Sequence, residues 1–476
     1  MQYDQKGNVL VIILAALGIT IAAAIGAGWI AYQSYSLPPV NNEPQIAIEN
    51  KNHSPENPDS EKPQSPDIAP AEEPAVIQEP IQIQPEESAV EFAEYSIAND
   101  SSPTVDASNQ FAFELYNQYK DTNDNVFFSP YSISSALQMT YEGARGQTAE
   151  EMKSVFHFPK ENQIRIGSFA KLYEQINPQN ASYQLSTANA LWAQKDYSFD
   201  QNYLKTVETY YHGKTTNLDF ANQLEESRIT INQWVSDRTA QKIPELFAPG
   251  SLDPLTRLVL TNAVYFRGKW ATPFEKEATR EKDFATLNGT KTKCQMMNKQ
   301  KNYNYTETAD YQVLELPYEN SDLSMIAILP QDGKMASVEN SLTAQNFATI
   351  KNVLKTELVN VSLPKFKFDT SYNMNEALST MGMPAAFNPE TADFSGMTGK
   401  CDLYIGLVIH KAYIDVYEEG TEAAAATGVA MIRATATPMA QPQPKIFNAD
   451  HPFIFAITHN NTGAILFIGK VNDPNK

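Results

Sequence analysis

Between residues 33 and 105 the chain carries 12 of its 29 prolines and 14 of its 56 acidic residues, against two lysines and no arginine. Proline removes backbone donors from helices and sheets, and like charges repel, so this stretch reads as an extended, disordered acidic spacer. Its net charge is −12. Residues 1–32 contribute 0, because Asp4 and Lys6 cancel, which leaves −8 of the total −20 for residues 106–476. Folding is thereby confined to the roughly 370 residues of 106–476, long for one ordinary domain.

Ahead of the spacer, residues 9–31 run without a charge. As a helix rising 1.5 Å per residue they reach about 34 Å, enough to cross a hydrocarbon core. Trp29, Tyr32 and Tyr35 stand where interfacial aromatics belong. Lys6 precedes the span and no Lys or Arg follows it until Lys51. That bias keeps the N-terminus inside and sends the rest out. A cleaved signal peptide is the alternative, with Ala22 and Ala24 at the processing site. The apolar run exceeds the usual signal core of about 7–15 residues, which favours a retained anchor. The expected organisation is a signal-anchor helix or signal peptide (1–32), an acidic Pro-rich stalk (33–105) and a folded domain (106–476). The expected location is extracytoplasmic: anchored at the cell surface through residues 9–31, or secreted if that segment is removed.

Composition narrows the function. A charge of −20 and a pI near 4.8 argue against nucleic-acid binding, which concentrates Lys and Arg. Two cysteines, Cys294 and Cys401, cannot build a disulfide framework, and their redox state is left open. The six histidines include no HxxH pair and no CxxC exists, so neither a metal site nor a cofactor is expected. There is no GxSxG, GxxxxGK[ST] or GxGxxG, so the chain is not expected to be an enzyme. GARGQT (143–148) lacks the lysine of a phosphate loop, and TAEEM (148–152) reads as Thr148 capping a helix. His410, in the apolar run VIHKAYI, reads as a hydrogen-bonded core residue rather than a base.

Helical spacing is found at 108–120, at 132–142 and in INQWVSDRTAQKI, where Pro244 stops the helix. Apolar, β-branched strand-like runs occupy 261–266, 323–330, 359–366, 403–417, 452–459 and 463–471. The class is α+β with large sheets. The last three strands are interrupted oddly. After IDVY come Glu418, Glu419, Gly420, Thr421, Glu422, Ala423, Ala424, Ala425, Ala426, Thr427 and Gly428, then small residues and three prolines before the next strand. In isolation four alanines read as a short helix or linker. Roughly 25 residues of small chain between two apolar strands is more than a compact domain keeps without a purpose.

This run, EEGTEAAAATG, resembles the hinge of inhibitory serpins. The resemblance extends in order through FFSPYSISSAL, GARGQTAEEM, INQWVSDRTAQKI, TNAVYFRGKWATPF, LELPYENSDLSMIAILP, VSLPKFKF, LSTMGMPAAFNPETADFSGM, VIHKAYIDVYEEGTEA, FNADHPFIFAI and FIGKVNDP. It implies the serpin fold: helices around a large five-stranded central sheet, two further sheets and an exposed reactive-site loop. It also implies a suicide-type inhibitor of serine endopeptidases that acts as a monomer. The protease attacks the loop, and the cleaved loop inserts into the sheet and traps the acyl-enzyme. A serpin-fold binding or chaperone protein whose loop never inserts is the alternative.

The residues fit that physics. With strand period two, the inward set of an inserting strand is Thr421, Ala423, Ala425, Thr427, Val429 and Met431, none charged and none proline. Counting from the hinge puts the reactive bond at Ala434–Thr435. A register one residue shorter puts it at Arg433–Ala434. The first register suits elastase-like or subtilisin-like proteases, with papain-like cysteine proteases also in range, and the second suits trypsin-like ones. The resemblance further implies that Ser129, Ser132, Asn262 and His410 gate opening of the central sheet, and that Trp270 marks where the loop first enters.

Overall fold

The computed structural model describes residues 92–179, 181–421 and 443–476. It begins with helix α1 (Ser102–Tyr119), strand β1 (Val126–Phe128) and helices α2 (Pro130–Tyr141), α3 (Gly146–Phe156) and α4 (Asn162–Ile176). Strand β2 (Tyr183–Gln194) leads through α5 (Gln201–Tyr211) to β3 (Lys214–Leu218), and α6 (Leu224–Arg238) leads to β4 (Leu258–Lys269). Then follow β5 (Arg280–Ala285), β6 (Lys291–Glu307), β7 (Tyr311–Pro317) and β8 (Leu323–Pro330), and the short helices α7 (Met335–Ser341) and α8 (Ala344–Asn352). After β9 (Lys355–Pro364) and β10 (Phe366–Asn373) come α9 (Asn375–Met381) and α10 (Ser395–Thr398). The last strands are β11 (Leu407–Tyr417), β12 (Gly420–Thr421), β13 (Lys445–Asn448), β14 (Phe453–His459) and β15 (Ile465–Val471).

Two sheets organise these elements. The central one has the order β10-β11-β12-β4-β2-β3, with β11 and β4 also paired directly in parallel. It is five strands plus the two-residue β12. Strand β4 is buried over its first nine residues because it is covered on both faces. Val259, Ala263 and Tyr265 join Ile231 and Val235 of α6 in one apolar cluster, while Leu258, Leu260, Val264 and Phe266 face the larger core that holds α1 and α2. The alternation follows the strand period of two.

The other strands form a nine-stranded sheet, β1-β15-β14-β8-β7-β6-β9-β13, with β5 on β6. The two further sheets implied by the resemblance are thus joined by hydrogen bonds. The cause is the 17-residue β6, which pairs β5 and β9 along most of its length and β7 at its end.

Three sequence expectations need correction. Residues 92–105, assigned to the spacer, are folded: α1 starts at Ser102, and Thr104 and Val105 are buried. The Tyr95 amide donates to Tyr210 Oη at 2.7 Å and the Phe92 ring lies under Lys205. Those aromatics and the apolar face of α1 outweigh the acidic composition around them. Thr148 does not cap α3, which starts two residues earlier. Its hydroxyl instead accepts the Asp393 amide at 3.0 Å. Residues 403–406 are not strand, because Gly406 turns in to donate to the Leu258 carbonyl.

Candidate functional site: the mouth and middle of the central sheet

Strands β4 and β11 lie side by side over residues 259–265 and 407–413, in parallel. Beyond that they part, and the gap is filled. Glu418 and Glu419 form a two-residue turn, and β12 comes back between the two strands, antiparallel to both. Gly420 pairs with Tyr417 and Lys269, and Thr421 pairs with Val416 and Gly268.

The residues around this mouth are tightly bound. Trp270 is buried. Its indole donates to the Tyr417 carbonyl at 3.0 Å, its amide donates to the Glu419 carbonyl at 3.0 Å, and its ring stacks on Tyr318. Tyr318 Oη and Thr421 Oγ1 share a 2.8 Å hydrogen bond, and burial pushes the Tyr318 phenol far up. The Glu418 carboxylate is buried and accepts from Thr279 Oγ1 at 2.8 Å and Lys365 Nζ at 2.9 Å. Burial opposes its charge, yet those two donors hold its pKa below the usual carboxylate value. Glu419 pairs with Lys276 at 2.7 Å on the surface.

A polar cluster lies farther down the same sheet. Asn189 on β2, Asn262 on β4 and His410 on β11 stand in one cross-strand row. The amide nitrogen of Asn262 donates to the Ser132 carbonyl (2.8 Å), to Ser132 Oγ (2.7 Å) and to Asn189 Oδ1 (2.6 Å). Ser129 caps α2, its hydroxyl accepting the Ser132 amide at 3.1 Å, and Pro130 occupies the first turn, where it needs no donor. The Ser129 amide donates to His410 Nε2 at 3.1 Å, so the imidazole proton sits on Nδ1 and goes to Asn262 Oδ1. Burial pushes the His410 pKa down to about 3, which keeps the ring neutral.

The structure therefore brings Ser129, Ser132, Asn262 and His410 together, and places Trp270, Glu419, Gly420 and Thr421 at the strand mouth. Glu422, Ala423, Ala424, Ala425, Ala426, Arg433, Ala434 and Thr435 lie outside the described residues, as does the apolar segment 9–31. The sequence reading missed Asn189, although it carries the same signal as Asn262, an asparagine opening an otherwise apolar run (NALWA). It also missed Tyr318, Thr279 and Lys365, whose roles depend on contacts far apart in the chain. Cys294 is buried, its thiol pushed up to about 11, and Cys401 is exposed. Both are free, so they do not pair. Among the described residues no group of His, Cys, Asp and Glu is suited to a metal ion, and no helix is long and apolar enough to cross a membrane.

Comparison with known proteins agrees with this architecture. A family model described as Serpin (serine protease inhibitor) matches residues 106–474. The chain is 40% identical to the leukocyte elastase inhibitor of Homo sapiens over 380 residues, covering 77% of this chain and 98% of that protein. It is 44% identical to an uncharacterized serpin-like protein of Thermococcus kodakarensis over 373 residues, covering 78% of this chain and 86% of that one. The crystal structure of the thermophilic serpin tengpin in its native state superposes with a TM-score of 0.71 at 31% identity, covering 80% of this chain and 96% of that chain. The chain belongs to the serpin family, whose members are in general protease inhibitors rather than catalysts.

Proposed function

We propose that this serpin is a suicide-type inhibitor of serine endopeptidases that traps the acyl-enzyme by inserting its cleaved loop between β4 and β11. The observation that carries the reading is β12: the residues that begin the loop already sit antiparallel to both strands at the mouth of the gap. Continuing that strand exchanges the parallel β4–β11 ladder for two antiparallel ladders, which are somewhat stronger per residue. About 12–14 new pairings at ~1 kcal/mol each contribute on the order of 10 kcal/mol. Fourteen residues at ~3.3 Å carry the bound protease roughly 45 Å.

The reactive bond is Ala434–Thr435, with Arg433–Ala434 as the alternative register. The targets are elastase-like or subtilisin-like enzymes in the first case and trypsin-like enzymes in the second. The apolar segment 9–31 and the acidic stretch after it hold the inhibitor outside the cell on a tether. The test is incubation with elastase, subtilisin, trypsin and papain, read on a denaturing gel with mass spectrometry of the released peptide. A heat-stable covalent complex supports the reading. A peptide starting at Thr435 fixes the first register and one starting at Ala434 fixes the second. Loop cleavage by every protease with no complex overturns the reading and favours a non-inhibitory binding or chaperone role.

A further inference from the structure

Residues 449–451 join β13 to β14, and in that short span they touch three other strands. The Ala449 amide donates to the Ser362 carbonyl of β9 at 2.9 Å, and the Ala285 amide at the end of β5 donates to the Asp450 carbonyl at 2.8 Å. Asn448 Nδ2, on β13, donates to Asp450 Oδ2 at 2.6 Å. His451 then stands between two acceptors. Its Nδ1 lies 2.8 Å from Asp450 Oδ1, and its Nε2 lies 2.7 Å from the Pro330 carbonyl oxygen at the end of β8.

A neutral imidazole carries a single N–H, so it satisfies one of these acceptors and turns a lone pair toward the other. Only the imidazolium donates to both. Burial opposes the charged ring, yet the Asp450 carboxylate and the Pro330 carbonyl, with Asp332 on the turn after β8, outweigh it and raise the His451 pKa above the ordinary 6.5. The cations near this junction are engaged elsewhere: Lys334 pairs with Asp310, Lys293 pairs with Asp283, and Lys282 donates to Asn298 and Ser362. Cys294 on β6, whose thiol feels the Asp450 charge, titrates only at about 11. We propose that Asp450 and His451 form a pH-operated clasp at the downstream root of the loop, in which the imidazolium ties the start of β14 to the end of β8. The neutral ring keeps its proton toward the Asp450 carboxylate, the stronger acceptor, and loses the Pro330 bond, so the junction of β13 and β14 loosens from β8.

The test is amide hydrogen exchange of the full chain with no protease present, read by mass spectrometry for peptides spanning β13 and β14. His451→Gln and wild type are compared at the same pH, so that intrinsic exchange cancels. Because the folded pKa is raised, the clasp's stabilisation is complete below about pH 6.5 and is lost as pH rises through the folded value. At pH 6 the variant is expected to exchange faster than wild type, by up to about tenfold for each unit by which the pKa is raised. At pH 9 the two should converge. Asp450→Asn keeps the imidazole and removes the charge that favours its protonated form, so protection in that variant should fade at lower pH than in wild type. A ratio of His451→Gln to wild type that stays constant or grows between pH 6 and 9 overturns the proposal, as does a pH dependence left unchanged by Asp450→Asn.

Discussion

Gly420 lies so close to Gly268 that a β-carbon on Gly420 would stand 2.2 Å from the Gly268 carbonyl oxygen. A β-carbon on Gly268 would in turn meet the Phe266 and Tyr318 rings within 3 Å. The returning strand fits the mouth because Gly420, paired with Lys269, has no side chain where its backbone passes the Gly268 carbonyl, and Gly268 has none where it passes the two rings. Gly420→Ala is therefore expected to push β12 out of the mouth and to lower stability by roughly 1–3 kcal/mol. Chemical denaturation checks this, and an unchanged midpoint would mean that the backbone has another way in.

Thr421 is 1% exposed and its hydroxyl meets Tyr318 inside the sheet. Thr421→Arg puts a charge where its burial costs several kcal/mol, so under the proposed trapping mechanism insertion would slow relative to hydrolysis of the acyl bond. The variant is expected to be cleaved as a substrate, and the number of inhibitor molecules consumed per trapped protease should rise several-fold.

Asn189 links β2 to β4 through the Asn262 amide. Asn189→Leu removes an acceptor for two buried donors, Asn262 Nδ2 and Ser132 Oγ, and is expected to cost about 1–3 kcal/mol. If the cluster holds the sheet shut, opening of the sheet should also speed up, which faster amide hydrogen exchange in β4 and β11 would reveal.

His410 gives a pH signature with a defined sign. Its folded pKa, about 3, lies below the ordinary 6.5, so the unfolded chain binds the extra proton between those values. The stabilisation is complete above about pH 6.5 and is lost as pH falls toward 3, with a slope of up to ~1.4 kcal/mol per pH unit. Carboxylates such as Asp219, held at about 2, add slopes of the same sign at lower pH. The diagnostic quantity is therefore the difference between wild type and His410→Gln, which should shrink as pH falls from 6.5 to 4. A constant difference would mean that the imidazole does not titrate between the two states.

Legibility in the sequence followed burial. The runs at 261–266, 323–330, 452–459 and 463–471 fall within β4, β8, β14 and β15 or extend one or two residues beyond them, because each is covered on both faces and spelled almost wholly in apolar letters. Strand β6 was not legible: KTKCQMMNKQKNYNYTE puts half its residues into solvent, and its pairing with three strands decides its state. At the site, the hinge turn stood out by its composition and His410 as a lone polar residue in an apolar run, whereas Ser129, Ser132 and Asn262 were marked only by the serpin resemblance. The Glu418 partners could not be read, since Thr279 and Lys365 are ordinary surface letters until the fold brings them to the turn. The domain start was misjudged because Phe92 and Tyr95, which dock on α5, sit among the acids of the preceding stretch.

Trp270 has a practical consequence. The chain contains four tryptophans, and two of them, Trp192 and Trp234, meet edge to face 5.3 Å apart on the side of the sheet covered by α6. Trp270 instead donates from its indole to the Tyr417 carbonyl and from its amide to the Glu419 carbonyl, on either side of the turn start, with its ring flat against Tyr318. Any travel of chain past that ring changes the surroundings of one particular indole. The protein thus carries a native fluorophore at the mouth where the proposed insertion would begin, and its emission would time that step without a label.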